Sequence, residues 1–196
     1  LGYSDFWIFK LDSLGGLEWE RSFGGTRNDN LVKINALKDG NLLLVGKSDS
    51  KDGDISNPSN SPTYDVWMIK TNGEGDVLWD KSYHFDGGNL YDLEIFETDE
   101  MVFTYYHEGH RVSRSDSLGN IIWDRDLNLW NVFPNYFGVG HYEILKGEEG
   151  SFYVVAGLYG NPPSFPKTSI SKYDSEGIEL WTFYYPLGDT YASPGK

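Results

Sequence analysis

The 196-residue sequence contains no cysteine. That absence excludes a disulfide framework, a thiolate metal site and a cysteine nucleophile. No apolar run approaches the roughly 18–20 residues that a helix needs to cross a bilayer. Bases are scarce as well: 16 lysines and arginines stand against 30 aspartates and glutamates, a net charge of −14. Such a surface repels phosphate backbones and anionic headgroups, so neither nucleic acid nor a membrane is expected as a partner. No stretch carries apolar residues at helical spacing. A serine nucleophile elbow and a phosphate-cradling glycine loop are also missing. The carboxylates are scattered, so no acid–base pair stands out. No catalytic residue, metal ligand or cofactor is assigned.

Aromatic residues, in contrast, make up 16% of the chain, and 23 glycines and 8 prolines supply turns. Aromatic side chains fit the half-buried surface of a pleated sheet, so the composition points to strands. A repeat sharpens this. Asp5-Phe-Trp-Ile-Phe-Lys-Leu-Asp-Ser-Leu-Gly-Gly-Leu-Glu-Trp19 returns as Asp65-Val-Trp-Met-Ile-Lys-Thr-Asn-Gly-Glu-Gly-Asp-Val-Leu-Trp79, then more weakly from Gly109 to Trp123 and from Lys167 to Trp181. Each copy has a base at its sixth place (Lys10, Lys70, Arg114, Lys172), a glycine at its eleventh (Gly15, Gly75, Gly119, Gly177) and tryptophan at its end. The tryptophans are 60, 44 and 58 residues apart, so a rigid unit alternates with variable spacers. Self-similarity of this kind marks an array of supersecondary units.

Each copy reads as strand, tight turn, strand. Phe6 to Leu11 and Val66 to Ile69 are apolar on both alternating faces, which predicts strands covered on both sides. Between the strands an Asp or Asn can bind the backbone ahead of it, and the glycine can take positive φ. A second hairpin follows, clearest in Leu31–Leu37, Lys38-Asp-Gly-Asn41 and Leu42–Gly46. With strands labelled A to D, the chain reads ABCD three times and then AB. The expected fold is all-β: four-stranded antiparallel blades, about three and a half repeats, forming one region over 1–196. The blades are placed at 5–64, 65–109, 110–166 and a partial 167–196. Propellers close with four to eight blades, so the chain is expected to be part of a larger propeller, its open edges met by further blades or a partner chain. Trp19, Trp79, Trp123 and Trp181 are expected at equivalent, mostly buried positions.

The pattern Asp-x-Trp-x-x-Lys-x-Asp-x-x-Gly-x-x-x-Trp, followed by Arg21-Ser-Phe-Gly-Gly25, Asp29, Lys38-Asp-Gly-Asn-Leu-Leu-Leu-Val-Gly46 and Asp52-Gly-Asp-Ile-Ser56, resembles bacterial extracellular β-propeller repeats. These are common in large secreted or surface proteins of Bacteroidetes, often beside a type IX secretion sorting domain. The third and fourth copies depart from it, with Arg111 and Ser169 where Trp7 and Trp67 stand in the first two. The resemblance implies a propeller in an extracellular or cell-surface protein, and it carries over no catalytic residue.

Short, uniform A–B and C–D turns contrast with B–C and D–A connections of variable length. The variable end is the functional candidate, because binding residues sit on loops held by a rigid scaffold. Its richest stretch is Trp130-Asn-Val-Phe-Pro-Asn-Tyr-Phe-Gly-Val-Gly-His-Tyr142. Trp130, Tyr136, Phe137 and Tyr142 offer aromatic planes, and Asn131 and Asn135 offer polar handles, a combination suited to a glycan or an extended protein segment. The competing role of these rings is packing between blades, which would bury them. Asp49, Asp52 and Asp54 gather oxygens beside Gly53 and could hold Ca²⁺, although a solvated acidic loop is the plainer reading. His107 and His110 resemble a metal pair without helical spacing. The expected function is a non-enzymatic binding or scaffold module. The alternatives are part of a propeller glycosidase or lyase, and a structural spacer of an adhesin.

Overall fold

A computed structural model describes residues 2–60, 62–85, 89–127, 136–160 and 167–186. Among the described residues fourteen strands carry the fold: β1 (Phe6–Leu11), β2 (Leu17–Phe23), β3 (Asp29–Ala36), β4 (Leu42–Ser48), β5 (Asp65–Thr71), β6 (Val77–Tyr83) and β7 (Leu90–Ile95). They continue with β8 (Met101–Tyr106), β9 (His110–Ser115), β10 (Ile121–Asp126), β11 (Tyr136–Lys146), β12 (Phe152–Gly160), β13 (Lys167–Tyr173) and β14 (Glu179–Pro186). Among the described residues the one helical element is a 3₁₀ turn at Glu148–Gly150. The fold is all-β, built of four-stranded antiparallel sheets of the blade type.

The grouping of strands corrects the expected blade boundaries. The four-stranded sheets are β3-β4-β5-β6, β7-β8-β9-β10 and β11-β12-β13-β14, and β1 with β2 forms a two-stranded sheet. The hairpins that end in Trp79, Trp123 and Trp181 therefore each join the hairpin before them, not the one after, and the hairpin ending in Trp19 forms a sheet by itself. The half-unit leads the series, and the partitions 5–64, 65–109, 110–166 and 167–196 each cut across a sheet. Repeat periodicity is the same under either grouping. What decides it is the D-to-A ladder, seen for example in β4 and β5, where Trp67 stands opposite Gly46. A side chain on Gly46 would strike the Asn30 carbonyl at 2.2 Å and the Phe6 ring at 2.5 Å.

The A–B turns are one structure used four times. Asp12 Oδ1 accepts the N–H groups of Leu14 and Gly16 at 2.8 Å each. Asn72, Asp116 and Asp174 do the same for the residues two and four places ahead, at 2.8–2.9 Å. The turn glycines Gly15, Gly75, Gly119 and Gly177 all have φ between 72° and 84°. In that left-handed region only glycine escapes a steric penalty. The cross-strand register is equally constant: Lys10, Lys70, Arg114 and Lys172 face Trp19, Trp79, Trp123 and Trp181.

The four tryptophans are thus equivalent in position but not in burial. Trp123 is 7% exposed, Trp19 and Trp79 are partly buried, and Trp181 is 37% exposed. The ring is covered where the A–B turn of a later sheet lies on it. Trp19 lies 3.1 Å from where a Cβ of Gly75 would stand, and Trp123 lies 2.8 Å from that of Gly177. Trp123 also donates its indole N–H to the Ser175 carbonyl at 3.0 Å. The rings against Trp181 are Tyr153 and Phe183, both of its own sheet.

The chain divides into two compact units, Leu1–Leu90 and Tyr91–Lys196. In the first, Phe6, Ile8 and Phe23 of the two-stranded sheet pack on Leu44, Trp67 and Ile69, with Ile55 inserted from the β4–β5 connection. In the second, Val102, Val112 and Trp123 pack on Tyr142, Ile144, Phe152, Val154 and Tyr173. β5 is buried along its whole length, as its two-sided apolar pattern predicts. β1 is covered on one face alone, which corrects the matching expectation for Phe6 to Leu11. Trp7 is 59% exposed where its counterpart Trp67 is 0%, because β1 belongs to a sheet of two strands.

Gly15 and Gly75 permit a controlled measurement. Both have φ near 83°, but nothing lies within 4 Å of a Cβ on Gly15, whereas one on Gly75 meets Arg21 at 2.9 Å and Trp19 at 3.1 Å. Gly15→Ala is expected to lose about 1–2 kcal/mol from backbone strain alone. Gly75→Ala should lose a further 1 kcal/mol or more, roughly, as the tryptophan is displaced. Urea unfolding of the two variants checks this; equal losses would show that the Trp–Gly contact contributes nothing.

Candidate functional site

Antiparallel pairing puts the β3–β4 and β5–β6 turns at one end of their sheet and the β4–β5 connection at the other. In the first unit this second end is built from residues 24–28, joining β2 to β3, and residues 49–64. The two segments interlock. Five consecutive backbone N–H groups are capped by side chains. Gly24 donates to Asp54 Oδ2 at 3.0 Å, Gly25 to Asp29 Oδ2 at 2.8 Å and Thr26 to Asp52 Oδ1 at 2.8 Å. Arg27 donates to Ser50 Oγ at 2.9 Å and Asn28 to Asp49 Oδ1 at 2.7 Å. The backbones touch as well, with the Asp54 N–H on the Gly24 carbonyl at 3.0 Å and the Asp49 N–H on the Asn28 carbonyl at 3.1 Å. The Gly25 bond is buried, and leaving such a donor unpaired costs about 1–3 kcal/mol. The other four bonds lie nearer the surface and fix how the two loops face each other.

The acidic loop is therefore more than a solvated run. Asp49, Asp52 and Asp54 are spread along the facing loop, each on a different N–H. Among the described residues no group of three or more acidic or imidazole side chains is placed to hold a metal ion. The Thr26 N–H and hydroxyl hold the Asp52 carboxyl below the ordinary aspartate value. Between the loops lies a cleft of about 210 Å³ lined by Asp5, Ser22, Gly24, Gly25, Thr26, Asp52, Gly53 and Asp54.

Asp65, counterpart of Asp5 in the second copy, has a fuller shell that sequence spacing did not reveal. Lys51 Nζ donates to its Oδ2 at 3.0 Å, Ser59 Oγ donates to its Oδ1 at 2.7 Å, and His84 Nδ1 lies 3.0 Å from Oδ1. His84, which has no partner nearby in sequence, thus finds one 19 residues back. Burial alone would raise the Asp65 carboxyl, but the bonds from Ser59, His84 and Lys51 outweigh it and the value falls.

In the second unit Arg111 takes over a role played by tryptophan in the first. The indole of Trp67 donates to Asp80 at 3.0 Å, and that of Trp7 to Glu20 at 3.2 Å. Arg111 donates to Asp124, also the residue after the repeat tryptophan, through Nε at 2.8 Å and Nη2 at 2.5 Å. Burial pushes the Asp124 carboxyl up, and Arg111, Ser113 and Tyr105 together bring it below its ordinary value.

Of the aromatic candidates, Trp130, Asn131 and Asn135 lie outside the described residues. Tyr136 and Phe137 open β11, and their side chains also lie outside. Tyr142 is 3% exposed in the second core, with its ring 4.9 Å from Tyr91 and 5.6 Å from His110. It is a packing residue here, which corrects its choice as an exposed contact. Its hydroxyl has no hydrogen-bond partner among the described residues, and burial drives its ionisation well above the ordinary tyrosine value. His110 is buried beside it, and desolvation lowers its pKa against the pull of Asp126. His107 stands in the β8–β9 turn, where its N–H donates to the Gly109 carbonyl at 2.9 Å.

No protein-family model matches this chain, and no curated protein matches it. Among solved structures it is similar to a protein of unknown function from Bacteroides caccae, known from a crystal structure at 1.35 Å resolution. The two share 11% identity over 92% of this chain and 94% of the other, with a TM-score of 0.25. A likeness of that size carries no functional argument.

The Asp65 shell sets a pH dependence. Because the folded pKa lies below the unfolded one, the stabilisation is fully present above the ordinary aspartate range. It is lost as pH falls through the lowered folded value. Asp65→Asn should therefore be less stable than the parent at neutral pH, and the gap should close in acid. Urea midpoints measured from pH 7 to pH 2 check this; a gap independent of pH would assign the loss to packing.

Proposed function

We propose that this chain is a non-enzymatic binding or scaffold module of an exported bacterial surface or secreted protein, its sheets serving as blades of a larger β-propeller. The observation that carries the reading is the contrast between the two ends of the sheets. At one end four A–B turns repeat a single hydrogen-bonded geometry, with φ of 72–84° at each glycine. At the other, connections differ in length, and in the first unit they are fastened by side-chain caps and enclose a cleft. Uniform turns are what a scaffold needs, and variable loops on fixed ends are where recognition is placed. The resemblance of Asp5–Trp19 and of the segments after it to extracellular propeller repeats supports the exported setting.

The protein should bind a glycan or protein ligand through the variable end. Screening it on glycan and surface-protein arrays, then measuring affinity for each hit, checks this. Trp130→Ala, in the segment joining β10 to β11, is expected to weaken binding about tenfold or more, in line with the loss of one aromatic anchor. Leu14→Ser, in an A–B turn and 93% exposed, should leave binding unchanged. An absence of saturable binding on both arrays, or equal loss in both variants, would overturn the reading in favour of a spacer.

A further inference from the structure

Asp5 lines the cleft of the first unit, and a second carboxylate, Asp29, is buried behind Gly24. Asp5 Oδ1 and Asp29 Oδ2 both approach the point where a Cβ of Gly24 would stand, to 2.6 and 2.8 Å. Asp29 is 0% exposed. Its Oδ2 accepts the Gly25 N–H and the Ser50 hydroxyl at 2.8 and 2.9 Å. Its Oδ1 and Asp5 Oδ1 are buried without a hydrogen-bond partner among the described residues. Two carboxylates brought together with unpaired buried oxygens call for a positive partner.

The second copy shows what kind of group meets that need. Sixty residues on, Asp65 stands for Asp5 and His84 for Gly24. There the carboxylate is neutralised by the Lys51 ammonium at 3.0 Å and faces the His84 ring at 3.0 Å. In the first copy glycine takes the imidazole's position, and Gly24 lines the cleft with Asp5. Asp52 and Asp54 add negative charge at the cleft and are themselves tied to the Thr26 and Gly24 N–H groups.

We propose that this cleft is a recognition pocket for the lysyl side chain of a protein ligand. Asp5 accepts the ammonium directly, and Asp29 supplies buried charge behind it. The proposal rests on reading the chain as a binding module and narrows its ligand to a protein bearing an accessible lysine.

The probe is Nα-acetyl-lysine methylamide, titrated into the ¹⁵N-labelled protein at low salt, with the isosteric norleucine derivative and CaCl₂ as comparisons. The lysine probe should bind saturably, with shifts centred on the amides of residues 24–26 and 52–54, and the norleucine probe should not. Asp5→Asn should weaken binding about tenfold or more, the scale of a lost charged hydrogen bond. Ser22→Lys, at an exposed residue lining the cleft, should supply an ammonium from the protein itself and block the probe, so the proposal does not depend on one variant folding. Equal binding of norleucine, no effect of Asp5→Asn, no saturable binding, or Ca²⁺ shifting the same amides and excluding lysine would each overturn it. Array binding that survives such a failure would leave the broader binding reading intact.

Discussion

The contact on which this fold most depends is an indole lying on a glycine turn. In each A–B hairpin the tryptophan is fixed by register opposite a base, and in two of them its ring extends beyond its own sheet. Where the turn of a later sheet meets it, the turn residue in contact has no side chain. Trp19 on Gly75 and Trp123 on Gly177 are the two cases. The glycine answers two demands at once. Its φ of 82° or 72° completes the turn, and its missing Cβ admits the ring. Sequence repetition is therefore more than repeated local preference: the first and third copies supply the ring, and the second and fourth supply the turn that receives it. Spacer lengths can vary because the spacers do not enter this contact.

A second constraint operates at the opposite end, and it explains a motif residue by residue. In Asp52-Gly-Asp-Ile-Ser56, Asp52 caps Thr26 and Asp54 caps Gly24. Gly53 comes so near that a Cβ would stand 2.2 Å from the Gly24 carbonyl. Ile55 enters the core, and Ser56 binds Asp80, the acceptor of the Trp67 indole. Gly24-Gly25 is the other half of the same clasp, because a side chain on Gly25 would meet Asp52 at 2.5 Å. Acidic residues here serve as hydrogen-bond acceptors for a loop without ladder partners, as buried backbone groups require.

This separates what the sequence disclosed from what it concealed. The Asx turns, the positive-φ glycines and the common register of the four tryptophans were legible, because each is set by residues within about fifteen positions. The partition into sheets was not, because a repeat of hairpins has the same period whichever neighbour it joins. The burial of Trp7 compared with Trp67 was hidden for the same reason: identical residues meet different numbers of strands. The shell of Asp65 draws on Lys51, Ser59 and His84, up to 19 residues away, and a one-dimensional pattern gives such a set no signature. Arg111 read as a departure from Trp7 and Trp67, yet it keeps their donor function toward the acid after the repeat tryptophan. Tyr142 failed as an exposed candidate because strand alternation turned it inward.

The difference between Asp5 and Asp65 shows how one position of the repeated framework can carry two different surroundings. Both carboxylates begin an A strand, and both are fixed by the same ladder. At Asp65 the surrounding lysine, serine and histidine complete the charge, and the position is structural. At Asp5 the histidine's place is taken by glycine and Asp29 is set close by, so the same framework presents unpaired oxygens at a cleft. Three side chains, Lys51, Ser59 and His84, fill the position at Asp65, and the counterpart of His84 in the first copy is Gly24. The turn glycines and tryptophans that hold the sheets lie at the other end, away from these carboxylates. If the chain is the binding module proposed above, the loops at this end are where its copies would differ in ligand, because the turns at the other end are held to one geometry.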